Sequence, residues 1–571
     1  MVPFFRASGL ARIASVALVL GVLLLTFHWL GNPGYAIDGG RGGKSGSPQG
    51  PPTWRPENGK APAPSHPQEG PQSISDKGEP TVGEEQRRLA SAAVRLRQLF
   101  STGQVAAGTP LGRTLQARVS ASPPQCRSFN SSLAEDTITR LQGVITDPDL
   151  FRVFENTFPN TLDTAIKWKG AAANNSQEEL CFVITGDIDA MWLRDSANQL
   201  QVYRDIMKSP EDDVASIFRG AINLQARYIV VHPYCNAFQA PPESGIPSGI
   251  GSQGSTVSPP IDVHVVATCN FELDSFGAFL QMSWDYYQAT GDVEFFGKFQ
   301  WMYAVQSMIK AAKDMMAPTY DDEGKRLTPP YTFNSMTRTM TSTLNLVGTG
   351  NPFLVPANMM FSRYLNDTAA IMDKVAKAPP ELATEMRDLA EEIRAGIEKH
   401  AIVKGPAGQD MYAYEVDGFG GQNLMDDANV PSLLSAPFLG YLAQDDEVYQ
   451  HTRKFVLSGQ NPWYARGPVI NAVGSPHIKP GAAWPMASII QIMTTDDETE
   501  IVGTLAELVS STDGLGLMHE SINSLNANQW TREWFSWANG LFGQMILDLE
   551  TRKPKLLEKS FQAFPVGGEE E

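Results

Sequence analysis

Ile184-Thr-Gly-Asp-Ile-Asp-Ala-Met-Trp-Leu-Arg-Asp-Ser-Ala-Asn-Gln199 is the stretch from which the rest of the chain reads outward. It leaves an apolar run, turns at Gly186, and sets Asp187, Asp189, Arg194 and Asp195 around Met191, Trp192 and Leu193. A helical pattern continues through Leu200, Val202, Tyr203 and Ile206. Aromatic surface beside carboxylates and a guanidinium suits a sugar. The ring stacks on the apolar C–H face, and the hydroxyls need bidentate donors and acceptors. The same residues also describe an ordinary helix start, with Asp near the positive end of the dipole and a local Arg–Asp pair.

From about Cys126 onward, helical periodicity recurs between loops of Gly, Pro, Asn and Asp. It predicts helices near 132–144, 148–166, 194–208, 211–231, 271–290, 292–316, 353–377, 380–400, 445–458, 483–493, 498–512 and 531–549. Strand-like alternation is sparse, and no short fixed repeat supports an open solenoid. The pattern predicts a large all-α domain over 126–553, of a size that suits inner and outer helices paired into a closed toroid.

Three later stretches carry charged and aromatic residues of the same kind: Asn270-Phe-Glu-Leu-Asp-Ser275, Gly516-Leu-Met-His-Glu-Ser521 and Thr531-Arg-Glu-Trp-Phe-Ser-Trp-Ala-Asn539. Together with 184–199, and in this order, they resemble the signatures of glycoside hydrolase family 125, the exo-acting alpha-1,6-mannosidases, in its fungal branch. The resemblance covers roughly Cys126 to Leu549. It implies an (α/α)6 barrel acting on mannose-containing glycans, with no metal or cofactor.

Glycoside hydrolysis needs two carboxyl groups flanking the bond. Glu272 and Asp274 open an apolar helix two residues apart, so a helical turn would point them to different sides, one toward the barrel mouth. Glu520 follows Gly514 and Gly516 on a tight loop. The resemblance implies Asp274 as general acid and Glu520 as general base for water, hence inversion. An acid at a helix N-terminus tends to a lowered pKa, so burial or a neighbouring carboxylate must raise it for that role. Trp192, Arg194, Asp195, Glu272, His519, Arg532 and Trp534 are the expected binding shell. Asp187-x-Asp189 lacks the further oxygen ligands of a calcium loop, so no metal site is expected. The family pattern departs at one place. After Gly348-Thr-Gly-Asn-Pro352 a stretch of about twenty residues containing Arg-Pro-Ser-Asp-Asp is absent, and such loops often carry function.

The net charge of -18 argues against a nucleic-acid partner. Residues 1–12 carry Arg6 and Arg12 ahead of an apolar run from Ile13 to Leu30, close to the roughly 20 residues that span a bilayer. This predicts a type II signal anchor with a short cytoplasmic tail and a lumenal remainder in the secretory pathway. Cleavage after Ala36, giving a secreted protein, is the alternative. Residues 31–125 are read mainly as a disordered stem rich in Gly, Pro and Ser, with a short amphipathic segment at 84–99; 554–571 forms a tail. Of Cys126, Cys181, Cys235 and Cys269, at least two are expected to pair in an oxidising lumen. Asn130, Asn174 and Asn366 begin glycosylation triplets. The expected oligomeric state is a monomer. Two rival readings stay open: a calcium-dependent alpha-mannosidase, and a mannose-binding protein that lost turnover with the missing stretch.

Overall fold

The computed structural model describes residues 127–249, 255–318, 320–335 and 353–560. The expected anchor, stem and tail end, together with Cys126, lie outside these residues. Among the described residues no helix is long and apolar enough to cross a membrane.

Twelve helices of nine or more residues dominate the described chain. They are α1 (Ser132–Gln142), α2 (Pro148–Thr157), α3 (Leu193–Gln201), α4 (Asp213–Val231), α5 (Leu273–Thr290), α6 (Trp301–Met316), α7 (Val355–Met372), α8 (Leu382–His400), α9 (Glu447–Val456), α10 (Pro485–Met493), α11 (Glu498–Ser510) and α12 (Ser536–Arg552). Burial divides them. All nine residues of α3 and eight of nine in α10 are buried, whereas α8 and α9 bury one face. In chain order inner and outer helices alternate: α3 with α4, α5 with α6, α7 with α8, α10 with α11. The buried set packs side by side: α3 on α5, α5 on α7, α10 on α12, and α12 back on α3. The place between α7 and α10 is taken by a run of turns at 432–439, where Leu433, Leu434 and Leu439 are buried. Asp426 holds that run, accepting from the Leu433 and Leu434 amides at 2.8 and 2.9 Å. This is the inner-and-outer ring of an (α/α)6-type barrel.

The expectation of an all-α domain is corrected by seven small sheets among the described residues. The longest strands, β1 (Ile166–Ala172) and β2 (Asn175–Val183), form a hairpin laid on α4. Most others are two or three residues long. They lie in the connections that run from an outer helix to the next inner one: 158–192, 232–272, 317–354, 401–431, 457–484 and 511–535. Returns from inner to outer helices are short, as at 373–381 and 494–497. In a ring of alternating helices all six long connections leave at one end. Backbone pairing ties each to the next. Met191–Trp192 pairs with Ala237–Phe238, Ser255–Ser258 with Thr332–Ser335, Phe353–Leu354 with Glu415–Val416, and Ala482–Ala483 with Ser521–Asn523. Ala428 N donates to Gly474 O at 3.0 Å, and Arg532 closes the belt by an ion pair to Asp187. One face therefore carries a laced mouth.

Among the twelve long helices, side-chain caps occur on four outside the inner ring and on none within it, although α4, α6 and α8 also lack one. Outer helices α1, α2, α9 and α11 start on Ser131, Asp147, Asp446 and Asp497, whose side chains accept from first-turn amides. Inner helices start after Trp192, Glu272, Leu354, Trp484 and Phe535, none of which caps through its side chain. Their free amides and dipole ends meet at the mouth, where anionic groups are favoured.

The helix expected over 148–166 ends at Thr157. Pro159 disfavours helix at the residue before it, and a π-turn at Thr161–Ala165 leads into β1. The helix expected over 531–549 begins at Ser536, because Thr531 ends a belt strand. Packing also continues past 553: Pro554–Leu557 is helical and buries Leu556 and Leu557.

Cys235 and Cys269 form a disulfide. Cys181 is a free thiol, pushed up to about 12 by burial. Asn130, Asn174 and Asn366 are all exposed, the second in the β1–β2 turn and the third within α7.

Candidate active site

The first-turn residue Arg194 of α3 is the hub of the mouth. Its Nη1 donates to Asp274 Oδ2 at 3.0 Å and to Glu272 Oε2 at 3.4 Å, and its Nη2 to Asp195 Oδ2 at 3.1 Å. All four side chains are buried. Glu272 and Asp274 do not point to different sides of a helical turn, as the sequence suggests. Glu272 is the residue before α5, in extended conformation (φ -129°, ψ 113°), so its side chain converges with that of Asp274. Both meet the same guanidinium nitrogen.

One positive charge faces three carboxyl groups in a space closed to water. Burial is the main cause of the result: Glu272 is raised to about 8, with Asp274 adding to the rise and Arg194 opposing it. Asp195 is raised as well, again chiefly by burial. The cluster thus holds a proton at neutral pH. Asp274 Oδ1 is buried without a hydrogen-bond partner, an acceptor or donor left over for something else.

The second group comes from connection 511–535. Arg532 Nε donates to Glu520 Oε1 at 3.1 Å, and its Nη1 bonds Asp187. Arg532 holds φ at 53°, a left-handed conformation uncommon for a residue with a side chain. His519 is fully buried. Its Nδ1–H donates to the Arg532 carbonyl at 3.0 Å, and its ring stacks on Trp530 at 4.5 Å and 8°. Burial lowers the His519 pKa, so the ring is neutral at pH 7. The Arg532 charge also acts on Asp195, which places the two groups within electrostatic reach.

The structure thus brings together Arg194, Asp195, Glu272 and Asp274 on one side, and His519, Glu520 and Arg532 on the other. Trp192 is the half-buried residue before α3, and Trp534 lies against Gly186, where a Cβ would meet its ring at 3.4 Å. The rings that touch the charged groups are others. Arg194 sits over Trp537 at 5.4 Å, and Arg532 over Phe535 at 6.0 Å. Asn236 hydrogen-bonds Glu272. Asp187, weighed in the sequence for a cation, pairs with Arg532 instead. The Ser536-Trp537 pair inside the fourth signature stretch was the available signal for Trp537. Nothing local flags Asn236. Among the described residues no cluster of His, Cys, Asp and Glu could hold a metal ion.

Buried carboxyl groups held by separate arginines at the laced end of a helical barrel suit the class of glycoside hydrolases. The family model for metal-independent alpha-mannosidases (GH125) matches residues 147–354 and 351–547, and the chain belongs to that family. It is 42% identical over 457 residues to the meiotically up-regulated gene 157 protein of Schizosaccharomyces pombe, covering 76% of this chain and 89% of that one. Among solved structures it is similar to a Streptococcus pneumoniae metal-independent alpha-mannosidase, in a non-productive complex with alpha-1,6-mannobiose. That likeness has 29% identity and a TM-score of 0.64, over 74% of this chain and 99% of the other.

Proposed function

We propose that this alpha-mannosidase removes terminal alpha-1,6-linked mannose with inversion. Asp274 protonates the glycosidic oxygen as its bond to the sugar C1 breaks. Glu520 takes the proton of the water that attacks C1 from the opposite face. The observation that carries this reading is the division of labour between two arginines. Arg194 holds one oxygen of Asp274 and leaves Oδ1 unpartnered, while Arg532 holds Glu520 by Oε1. Glu272, whose protonated form burial favours, meets the same guanidinium nitrogen as Asp274. Arg532 fixes Glu520 by one oxygen and so orients the carboxylate as a base for water. The linkage rests on the pneumococcal relative and its alpha-1,6-mannobiose complex. The Cys235–Cys269 disulfide and exposed Asn130, Asn174 and Asn366 fit a lumenal domain in the secretory pathway, with residues 13–30 as its anchor.

Proton NMR of alpha-1,6-mannobiose with the purified domain tests the reading, with Glu520→Gln and Asp274→Asn as controls. Beta-mannose is expected first, with turnover at least about a hundredfold lower in either variant. Alpha-mannose as first product would overturn the role of Glu520. Turnover is expected to survive a chelator, which separates this reading from a calcium-dependent enzyme. A second reading, mannose binding without hydrolysis, has one observation in its favour. The two family-model segments meet at 351–354, where the sequence lacks a stretch of the family pattern. Bound mannose with no product would select it.

A further inference from the structure

Phe419 is 97% exposed, the most solvent-exposed large apolar side chain among the described residues. It sits at the tip of the hairpin Glu415–Val416/Gln422–Asn423, in Asp417-Gly-Phe-Gly-Gly421. The tip is a fixed turn. Asp417 Oδ1 accepts from the amides of Phe419 at 2.7 Å and Gly421 at 2.8 Å, and Asp417 N donates to Gly421 O at 3.1 Å. Gly418 and Gly420 take φ of 78° and 105°, which a side chain would resist. The stem is part of the mouth belt. Glu415 and Val416 pair with Leu354 and Phe353, directly before inner helix α7, and Tyr414 O accepts from Val355 N at 2.9 Å. The ring of Phe353, itself 43% exposed, lies under Gly418.

An exposed phenyl ring forgoes the stabilisation of burial. Here the backbone is organised to present it. We propose that Phe419 is a stacking platform for an outer sugar of the glycan, beyond the bond that is cut. This rests on the hydrolytic reading for the identity of the glycan. Three features select a sugar as the occupant. The platform stands on the face that carries the candidate catalytic groups. Its neighbours in the turn are glycines and an aspartate whose carboxylate is engaged internally, so the tip offers Phe419 with the partly exposed Phe353 beneath it and no larger apolar patch of the size that protein partners use. One ring matches the apolar C–H face of one pyranose, and a pre-set turn keeps the ordering cost low.

The test measures affinity in the Glu520→Gln background, where turnover is not required, and kcat/KM in the unmutated background. Ligands are alpha-1,6-mannobiose and a longer alpha-1,6-mannan oligosaccharide. Phe419→Ala is expected to weaken binding of the longer glycan about five- to tenfold, the scale of one aromatic contact, and to leave the disaccharide within about twofold. Phe419→Trp is expected to restore it. Equal losses on both ligands, or none on either, would overturn the platform. If the unmutated protein cleaves neither ligand but the affinity difference persists, the hydrolytic reading fails and the platform stands.

Discussion

At the scale of single residues, the site is a problem of counter-charge. Arg194 serves three carboxyl groups and Arg532 serves two, one of which, Asp187, is half exposed. Asp187 ties Arg532 across the mouth while Arg532 holds Glu520. Asp187→Asn removes the charge from that tie, and kcat/KM is expected to fall about two- to fivefold, the scale of one solvent-exposed ion pair. An unchanged kcat/KM would show that Asp187 has no hold on the Arg532–Glu520 pair. The residues of this network read differently from sequence. Arg194, Asp195, Glu272, Asp274, His519, Glu520 and Arg532 are legible because they sit inside compact signature stretches. Their partnerships are not, because Arg194 and Glu272 come together only when α3 and α5 pack. Trp192 and Trp534 stand out in the same stretches. Trp537, a turn further along, is the ring under Arg194, because Trp534 precedes α12 whereas Trp537 lies in its first turn.

At the scale of elements, helix existence was legible and strands were not. Each of the twelve long helices falls on a stretch with helical period, since 9 to 19 residues give the pattern room to repeat. A belt strand of two residues has no period at all; only the ladder to a distant connection creates it. The β1–β2 hairpin was long enough to see, but its bulged register, with shifts at Ile166/Trp168 and Ala171/Ala172, blurs the alternation. The hairpin makes its own demand on α4. A Cβ at Gly220 would stand 2.8 Å from Cys181 N and 2.9 Å from Leu180 C, backbone atoms of β2 that a rotamer change cannot move. Gly220→Ala is therefore expected to destabilise by about 1–3 kcal/mol despite the better helix propensity of alanine. A melting curve checks it. An unchanged or raised midpoint would mean that α4 and β2 do not approach this closely.

At the scale of the molecule, the barrel buries acid groups at several depths, and this sets how its stability responds to pH. Glu272 is raised to about 8, Asp426 to about 7 and Asp285 to about 6, and Asp195 is raised too, all chiefly by burial. A carboxyl raised on folding binds its proton more tightly in the native state. Its contribution is full below the ordinary carboxylate range and is lost as pH rises through the folded value. The window here runs from about pH 4 to pH 8. Glu243 and Asp314 shift the other way, held down by hydrogen bonding with Arg227 and Lys310 among the causes, but they are two partly buried groups against four buried ones. A net charge of -18 adds self-repulsion that also grows with pH. The melting midpoint is therefore expected to stand several degrees higher at pH 5 than at pH 8. Glu272→Gln, neutral at both, is expected to narrow that gap, because the group with the highest raised value no longer titrates. A midpoint equal or higher at pH 8 would mean that these carboxyl groups find water or partners on ionising. The Arg194 cluster would then not be the dry, proton-holding site on which the role of Asp274 depends.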